Sequence, residues 1–314
     1  MSGPFDVVTF GEAMLLLVAA QPGPLETVES FHKRTAGAET NVAIGLARLG
    51  LQVAWASRLG QDSMGRYLLD SIRREGVDCS QAALVPGART GMMFKGQVTD
   101  GSDPPIEYHR AGSAASAMGP EDIDQPWLVS ARHLHATGVF AGVSAASFAL
   151  SRQAMTWMRG AGRTVSFDPN LRPTLWASTE AMRAGINALA ALADWVLPGI
   201  EEGRLLTGCQ SPEDIARFYL GQGAQVVVVK LGAEGAYFDD GRNRGRVPAS
   251  PVARIVDTVG AGDGFAVGVI SGLLEGLPLD RAVARGAWIG ARAVQVSGDT
   301  EGLPMRAELV AAGV

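Results

Sequence analysis

Short apolar runs alternate along this chain with longer segments of helical length. Residues 5–10 (FDVVTF), 52–57, 131–137, 164–167, 195–197 and 225–230 read as strands, the last of them (QVVVVK) most plainly as a buried one. Helical segments separate them. They cover residues 42–49 with Gly50 as a stop, 67–75 ending at Gly76, 147–159, the stretch opened by Glu201 and Glu202, the stretch after Ser211-Pro212, 265–274, and about 279–296. This repeated alternation predicts an α/β fold whose central sheet is mostly parallel and flanked by helices. No internal repeat, low-complexity tract or linker interrupts it, so residues 1–314 read as one continuous domain.

Three segments break the rhythm. Residues 14–20 follow the first strand too closely for a helical crossover, and Gln21-Pro22-Gly23-Pro24 ends them. Residues 89–98 and 106–110 are joined by a turn-rich loop, 99–105. Together they predict a small β-sheet drawn from about residues 13–35 and 89–112. So few strands need one face covered to be stable. The sheet is therefore expected to lie over the main domain as a lid, or to pair with a second subunit through its open edges, giving a homo-oligomer. Tyr108 and Arg110 end its last strand. An arginine there reads either as an anion clamp or as ordinary surface charge.

Composition narrows the chemistry. The 314 residues are 47% hydrophobic, enough for a large core, and the formal net charge is −5. The absence of any basic run argues against a nucleic-acid partner. Cys79 and Cys209 make no disulfide framework, and His32, His109, His133 and His135 lack zinc-ligand spacing. His133 and His135 instead read as two residues on one face of a strand. No apolar run reaches the ~18 residues of a membrane span, and no basic segment precedes an apolar one at the N-terminus. A cytoplasmic protein without a membrane partner is the expectation.

The candidate chemistry concentrates in Asp257-Thr258-Val259-Gly260-Ala261-Gly262-Asp263-Gly264-Phe265. Residues 251–256 before it read as a strand, and 265–274 after it as a buried helix. Gly260, Ala261 and Gly262 then fall at a helix start, where free N–H groups and the positive dipole end make an anion site. Asp263 is out of place there, because a carboxylate repels phosphate. It reads either as a base that takes a proton from the group attacking the phosphate, or as an N-cap.

Other polar residues fall at strand ends and helix starts. Glu12 follows the first strand. Gly37-Ala38-Glu39-Thr40-Asn41 opens a helix, with Asn41 either a ligand for a polyol or a cap. Asp168, Asn170 and Arg172 lie on a loop that Pro169 and Pro173 keep from becoming helical. Residues 230–235 form a second glycine turn. The chain has no G-x-x-x-x-G-K-[ST] loop, no early G-x-G-x-x-G and no G-x-S-x-G elbow. What remains fits transfer of a phosphoryl group to an alcohol.

DTVGAGDGF resembles the second signature of the PfkB/ribokinase family of sugar kinases, and GAETNVAIGLARLG resembles its first. The likeness runs from FGEAM to EGLP. Within the family, EYHRAGSAAS, FDPNLRPTLW and SGDTEGLP resemble the kinases of 2-keto-3-deoxygluconate (KDG). The resemblance implies a Rossmann-like ribokinase fold with a β-sheet lid, ATP as donor and Mg2+ as cofactor. It implies Asp263 as catalytic base toward the terminal 6-hydroxyl, with Gly260, Ala261 and Gly262 as the anion hole. Gly37 and Asn41 correspond to residues that hold the sugar. Tyr108 and Arg110 match lid residues, Arg172 an arginine near the reacting groups, and Asp299 a carboxylate that meets the substrate. Asn170, Lys230, Gly232 and Gly235 match the nucleotide side. Asp257 resembles a residue that helps bind a monovalent cation such as K+, or else closes its own loop through backbone hydrogen bonds.

The chain departs from the family pattern in places. Gly199 stands at the asparagine of an N-x-x-E motif linked to Mg2+, with Glu202 retained as the candidate metal ligand. Met93 stands where KDG kinases tend to have tyrosine, and Lys95 near an arginine. Charge gives a separate argument for an acid sugar. KDG carries a carboxylate, which Arg110 and Arg172 would neutralise. In a neutral-sugar site an unpaired buried arginine would cost several kcal/mol. A neutral-sugar kinase of the fructokinase or ribokinase type, and a non-catalytic sugar or nucleotide sensor on the same fold, are the competing readings.

Overall fold

Val226, Val227, Val228 and Val229 leave no polar position on either face of their strand. Such a run is stable only in a sheet covered on both sides. The computed structural model, which describes residues 4–98 and 104–314, places it in a sheet of that kind. The strands in chain order are β1 (Val7–Phe10), β2 (Met14–Ala19), β3 (Phe31–Ala36), β4 (Val53–Gly60), β5 (Asp78–Val85), β6 (Met92–Lys95), β7 (Ile106–His109), β8 (His133–Thr137), β9 (Thr164–Asp168), β10 (Trp195–Val196), β11 (Val226–Lys230), β12 (Ala236–Asp239) and β13 (Arg244–Val247). Among the described residues, nine of them form one sheet in the order β13-β12-β11-β10-β9-β8-β1-β4-β5. It is parallel from β11 to β5, and the antiparallel hairpin β12–β13 closes the other edge.

The two faces of this sheet carry separate cores, as strand alternation requires. Val8, Phe10, Val227 and Val229 pack on one face with Phe140, Met155, Ile186 and Tyr219. Val7 and Val228 pack on the other with Trp55, Leu68, Val267 and Ile270. The helix Ala261–Leu274 is buried along most of its length against Leu279–Ala293. Gly268 lets the two approach closely: a Cβ there would lie 2.4 Å from the Gly286 nitrogen. Helix starts are fixed by side chains of Asp62, Ser144, Ser178 and Ser211, each accepting a backbone N–H three residues on. His133 and His135 are buried strand residues bonded to Ser166, and burial holds both imidazoles below their ordinary pKa.

The second sheet has the order β3-β2-β6-β7. The excursion expected at residues 14–20 is β2, which leaves the main sheet after Gly11. β2 and β6 are parallel, and β3 and β7 pair antiparallel at the two edges. Met14, Leu16, Val18, Ala36 and Met93 form its own small core.

Several expectations are corrected. Residues 251–256 form no strand; the N–H groups of Val256 and Asp257 bond instead to the carbonyl of Val294 at the end of a helix. β3 and β5 escape a reading based on apolar runs because both are edge strands with polar, solvent-facing positions. The first long helix runs from Ala38 with Gly37 as its N-cap, so the polar residues through Asn41 lie in its first turn, as expected. A further helix, Arg306–Ala312, follows the one that ends at Ala293. Of the loop 99–105, residues 99–103 lie outside the described residues. No helix among the described residues is long and apolar enough to cross a membrane.

Candidate active site

The site gathers at the carboxyl ends of β1, β8, β9 and β11, where Glu12, Thr137, Asp168 and Lys230 stand. Over these ends lies the start of the helix Ala261–Leu274. Gly260 is its N-cap, at φ 83° in the left-handed region, with no side-chain cap. A Cβ on Gly260 would lie 2.7 Å from the carbonyl oxygen of Asp299, so only glycine fits without strain. Ala261 and Gly262 form the first turn and leave their N–H groups without helical partners.

Asp263 is the third helical residue and makes no cap, which removes the capping alternative. It is 8% exposed. Asn41 Nδ2 donates to its Oδ2 at 2.8 Å, and Asn170 Nδ2 to its Oδ1 at 3.4 Å. Burial pushes the Asp263 carboxyl up to about 7. The charges of Asp168 and Asp299 add to that rise, while the Asn41 hydrogen bond and Lys230 oppose it.

Asn41 arrives on the helix Ala38–Arg48, which Gly37 opens at φ 146°. A Cβ on Gly37 would lie 2.5 Å from the Glu12 carbonyl oxygen. The Asn41 Oδ1 is buried with no partner among the described residues, and the residue lines the cavity described below. An acceptor in that state suits a hydroxyl donor from a ligand.

On the opposite wall Lys230 Nζ pairs with Asp168 Oδ2 at 2.6 Å. Burial opposes the Lys230 charge, yet Asp168 and Glu202 outweigh it and raise its pKa. Asn170 holds φ 39°, an uncommon conformation for a non-glycine residue, which turns its amide toward Asp263. Glu202 is already engaged: its Oε1 accepts from the Leu171 N–H and its Oε2 from the Gly199 N–H, each at 2.7 Å. The metal ligand expected there is thus first a clamp between a helix start and the loop after β9.

The small sheet supplies the remaining wall. Arg110 Nε donates to Glu12 Oε2 at 2.7 Å, and Ser113 Oγ donates to Glu12 Oε1. The expected free cation at Arg110 is therefore already neutralised by Glu12, a buried residue rather than a solvated one. Arg172 is exposed and forms no ion pair among the described residues; its Nη1 donates to the Leu171 carbonyl. Tyr108 stands 44% exposed on β7, and its cross-strand partner Met93 on β6 is buried. Asp299 is buried with its pKa raised by loss of solvent and by Asp257, a rise that Lys95 opposes. Asp257 accepts the backbone N–H groups of Val259 and Gly298, the loop-closing bonds that are the second reading of it, and forms an ion pair with Lys95.

A cavity of about 440 Å³ is enclosed by these groups, from Gly37, Asn41 and Tyr108 to Arg172, Asp263 and Asp299. A second cavity of about 560 Å³ continues from it between the 230–235 turn and the helix Leu279–Ala293. Gly232 and Gly235 border it, with Ala261, Val252, Ile255 and Ala287. Lys230, Thr258 and Gly262 line both cavities. Glu39 and Lys95 carry site chemistry that sequence reasoning left unassigned. Glu39 is fully buried, accepts from the Thr137 hydroxyl, and is pushed up to about 7 by burial. A lysine ending the otherwise apolar β6, MMFK, was the available signal for the other.

Comparison with known proteins fits this geometry. Residues 5–306 match the pfkB family carbohydrate kinase domain. A 2-dehydro-3-deoxygluconokinase of Bacillus subtilis is 48% identical over 305 residues, covering 97% of this chain and 94% of that protein. The crystal structure of a PfkB protein from Polaromonas sp. JS666 superposes with a TM-score of 0.91 at 66% identity, covering 98% and 99% of the two chains. A ribokinase II-type structure from E. coli, in complex with ATP and Mg2+, reaches the same TM-score at 26% identity, covering 98% of each chain. The chain belongs to the pfkB family of carbohydrate kinases.

Proposed function

We propose that this kinase transfers the γ-phosphoryl group of ATP to the terminal 6-hydroxyl of 2-keto-3-deoxygluconate (2-dehydro-3-deoxygluconate). The observation that carries the reading is the buried Asp263 carboxyl, shifted to about 7 and aimed by Asn41 and Asn170 beside the Gly260–Gly262 helix start. A base with a pKa near working pH is well matched to deprotonate an alcohol in the transition state. The sugar oxygen forms a bond to the γ-phosphorus as its proton passes to Asp263. The bond from that phosphorus to the β–γ bridging oxygen breaks, and ADP leaves. The N–H groups of the first helical turn face the charge on the transferring group.

The cavity with the asparagine, the tyrosine and the two arginines takes the sugar acid. Arg172 is the cation with charge to spare for its carboxylate, and the small sheet acts as a lid. The cavity bordered by Gly232 and Gly235 takes the nucleotide, with Lys230 between the two. Mg2+ supplies charge neutralisation on the phosphates. Asp168 and Glu202 are the carboxylates that would hold it, through water, since this ion keeps several waters and needs only one or two carboxylates besides phosphate.

One observation favours the alternative of a neutral sugar: Glu12 already satisfies Arg110. A coupled ADP-release assay with KDG, its galactose-derived epimer, gluconate, fructose and ribose decides between them. KDG is expected to give the highest kcat/KM. A preference for fructose or ribose would overturn the acid-sugar reading.

A further inference from the structure

Behind the sugar cavity, the small sheet sends one charged side chain into the body of the protein. Lys95, at the end of β6, is 1% exposed and among the largest fully buried side chains. Its ammonium forms an ion pair with Asp257 and a second with Asp299 at 3.3 Å. Both carboxylates are themselves buried. Asp257 also accepts the N–H of Val259 at 3.0 Å and that of Gly298 at 3.4 Å, which ties the loop before the helix to the segment that carries Asp299. Asp299 in turn backs directly onto Gly260. Lys95, Asp257, Val259, Asp299 and Gly260 are thus one connected unit that ends at the first turn holding Gly262 and Asp263.

Each charge in this unit would be costly alone. Two buried carboxylates repel one another, and a buried ammonium loses its hydration. Beside a helix start meant for a phosphoryl group, two uncompensated carboxylates would also oppose the incoming anion. The ammonium removes that opposition and fixes the loop.

We propose that Lys95 is a positioning residue: a tethered cation that holds the 257–260 loop in the shape the transferring phosphoryl group needs. It does from within the chain what a dissolved monovalent cation at Asp257 would do, so phosphoryl transfer needs no such ion. Because it sits on the small sheet, it also couples that sheet to the anion site. The proposal rests on the phosphoryl-transfer reading of the helix start and not on which sugar is phosphorylated.

The test compares the wild-type chain with Lys95→Met and Lys95→Arg in potassium chloride and in tetramethylammonium chloride at equal ionic strength. Turnover and melting temperature are both measured. Wild-type kcat and melting temperature are expected to be the same in both salts. Lys95→Met should lose about 10²-fold in kcat, the scale of a small misplacement of reacting groups, with little change in the KM for ATP. Potassium should restore part of that kcat and raise the melting temperature of this variant selectively. Lys95→Arg, which keeps the charge, should retain most of the activity. A wild type that needs potassium, an unchanged kcat in Lys95→Met, or a loss confined to the sugar KM would each overturn the proposal. The melting comparison involves no turnover. A wild type inactive on every sugar would therefore overturn the substrate reading, while the salt-selective melting of Lys95→Met still decides the role of Lys95. If Lys95→Met does not fold, a potassium-dependent wild-type melting temperature is the overturning result, and its absence together with an active Lys95→Arg supports the proposal.

Discussion

Asn41 and Asp263 are 222 positions apart in the chain, yet the amide Nδ2 of one donates to the carboxylate of the other at 2.8 Å. Each sits in the first turns of its own helix, so the bond joins two helix starts across the cavity. The Asn41 hydrogen bond stabilises the ionised form of Asp263 against the burial that disfavours it.

Replacing Asp263 by Asn keeps the shape and removes the base. Turnover is expected to fall by at least ~10²-fold, while ADP binding measured by calorimetry stays close to wild type. The melting temperature should not drop, because the change removes a buried carboxyl whose charged form is disfavoured. Retained turnover would end the base assignment.

The pH dependence follows from the same group. Asp263 accepts a proton only when ionised, so wild-type kcat/KM should rise with pH through about 7 and then level. Asn41→Ala deletes the bond that lowers the Asp263 pKa, so its rising limb should move to higher pH. A limb that stays in place, or moves to lower pH, contradicts the coupling.

Arg172 and Arg110 separate substrate binding from folding. Arg172 is exposed, so Arg172→Ala should leave the melting temperature unchanged. It should raise the KM for KDG roughly tenfold, the scale of one charge-assisted hydrogen bond, and barely alter that for fructose. Arg110→Ala strands the buried Glu12 carboxylate, a loss on the order of 3 kcal/mol in stability that unfolding in urea would register. Equal effects of Arg172→Ala on acid and neutral sugars would count against the carboxylate role.

Glu39 predicts a stability effect with a definite sign. Its folded pKa of about 7 lies above the ordinary 4.5, so the native state holds the proton more tightly than the unfolded chain. That contribution is fully present below about 4.5 and is lost as pH rises through about 7. Glu39→Gln should therefore be more stable than wild type at pH 8, by on the order of 3 kcal/mol, with the difference vanishing near pH 4. Melting curves across pH check both the sign and the window.

Much of this was legible in the chain. The valine run of β11 and the strand–helix rhythm fix the parallel sheet, because burial on both faces leaves a continuous apolar signature. The glycine turn at 260–262 could be read because a helix start needs specific residue types. β3 and β5 could not, since edge strands look polar. Nor could the pairings that set the charge balance, Arg110 with Glu12, Lys230 with Asp168, and Lys95 with Asp257 and Asp299. Each joins residues far apart in sequence, and only the fold decides whether a lone charge in a motif is free or neutralised.

The wall shared by the two cavities has a practical consequence. Because Lys230, Thr258 and Gly262 face both spaces, only the transferring group needs to stand between the sugar acid and the nucleotide of the proposed reaction. A single molecule joining the two through a short phosphate bridge would occupy both spaces at once and gain from the effective concentration of its second half. Bisubstrate compounds of that design should bind far more tightly than either half. The bridge length that binds best would act as a ruler for the distance across which the phosphoryl group travels.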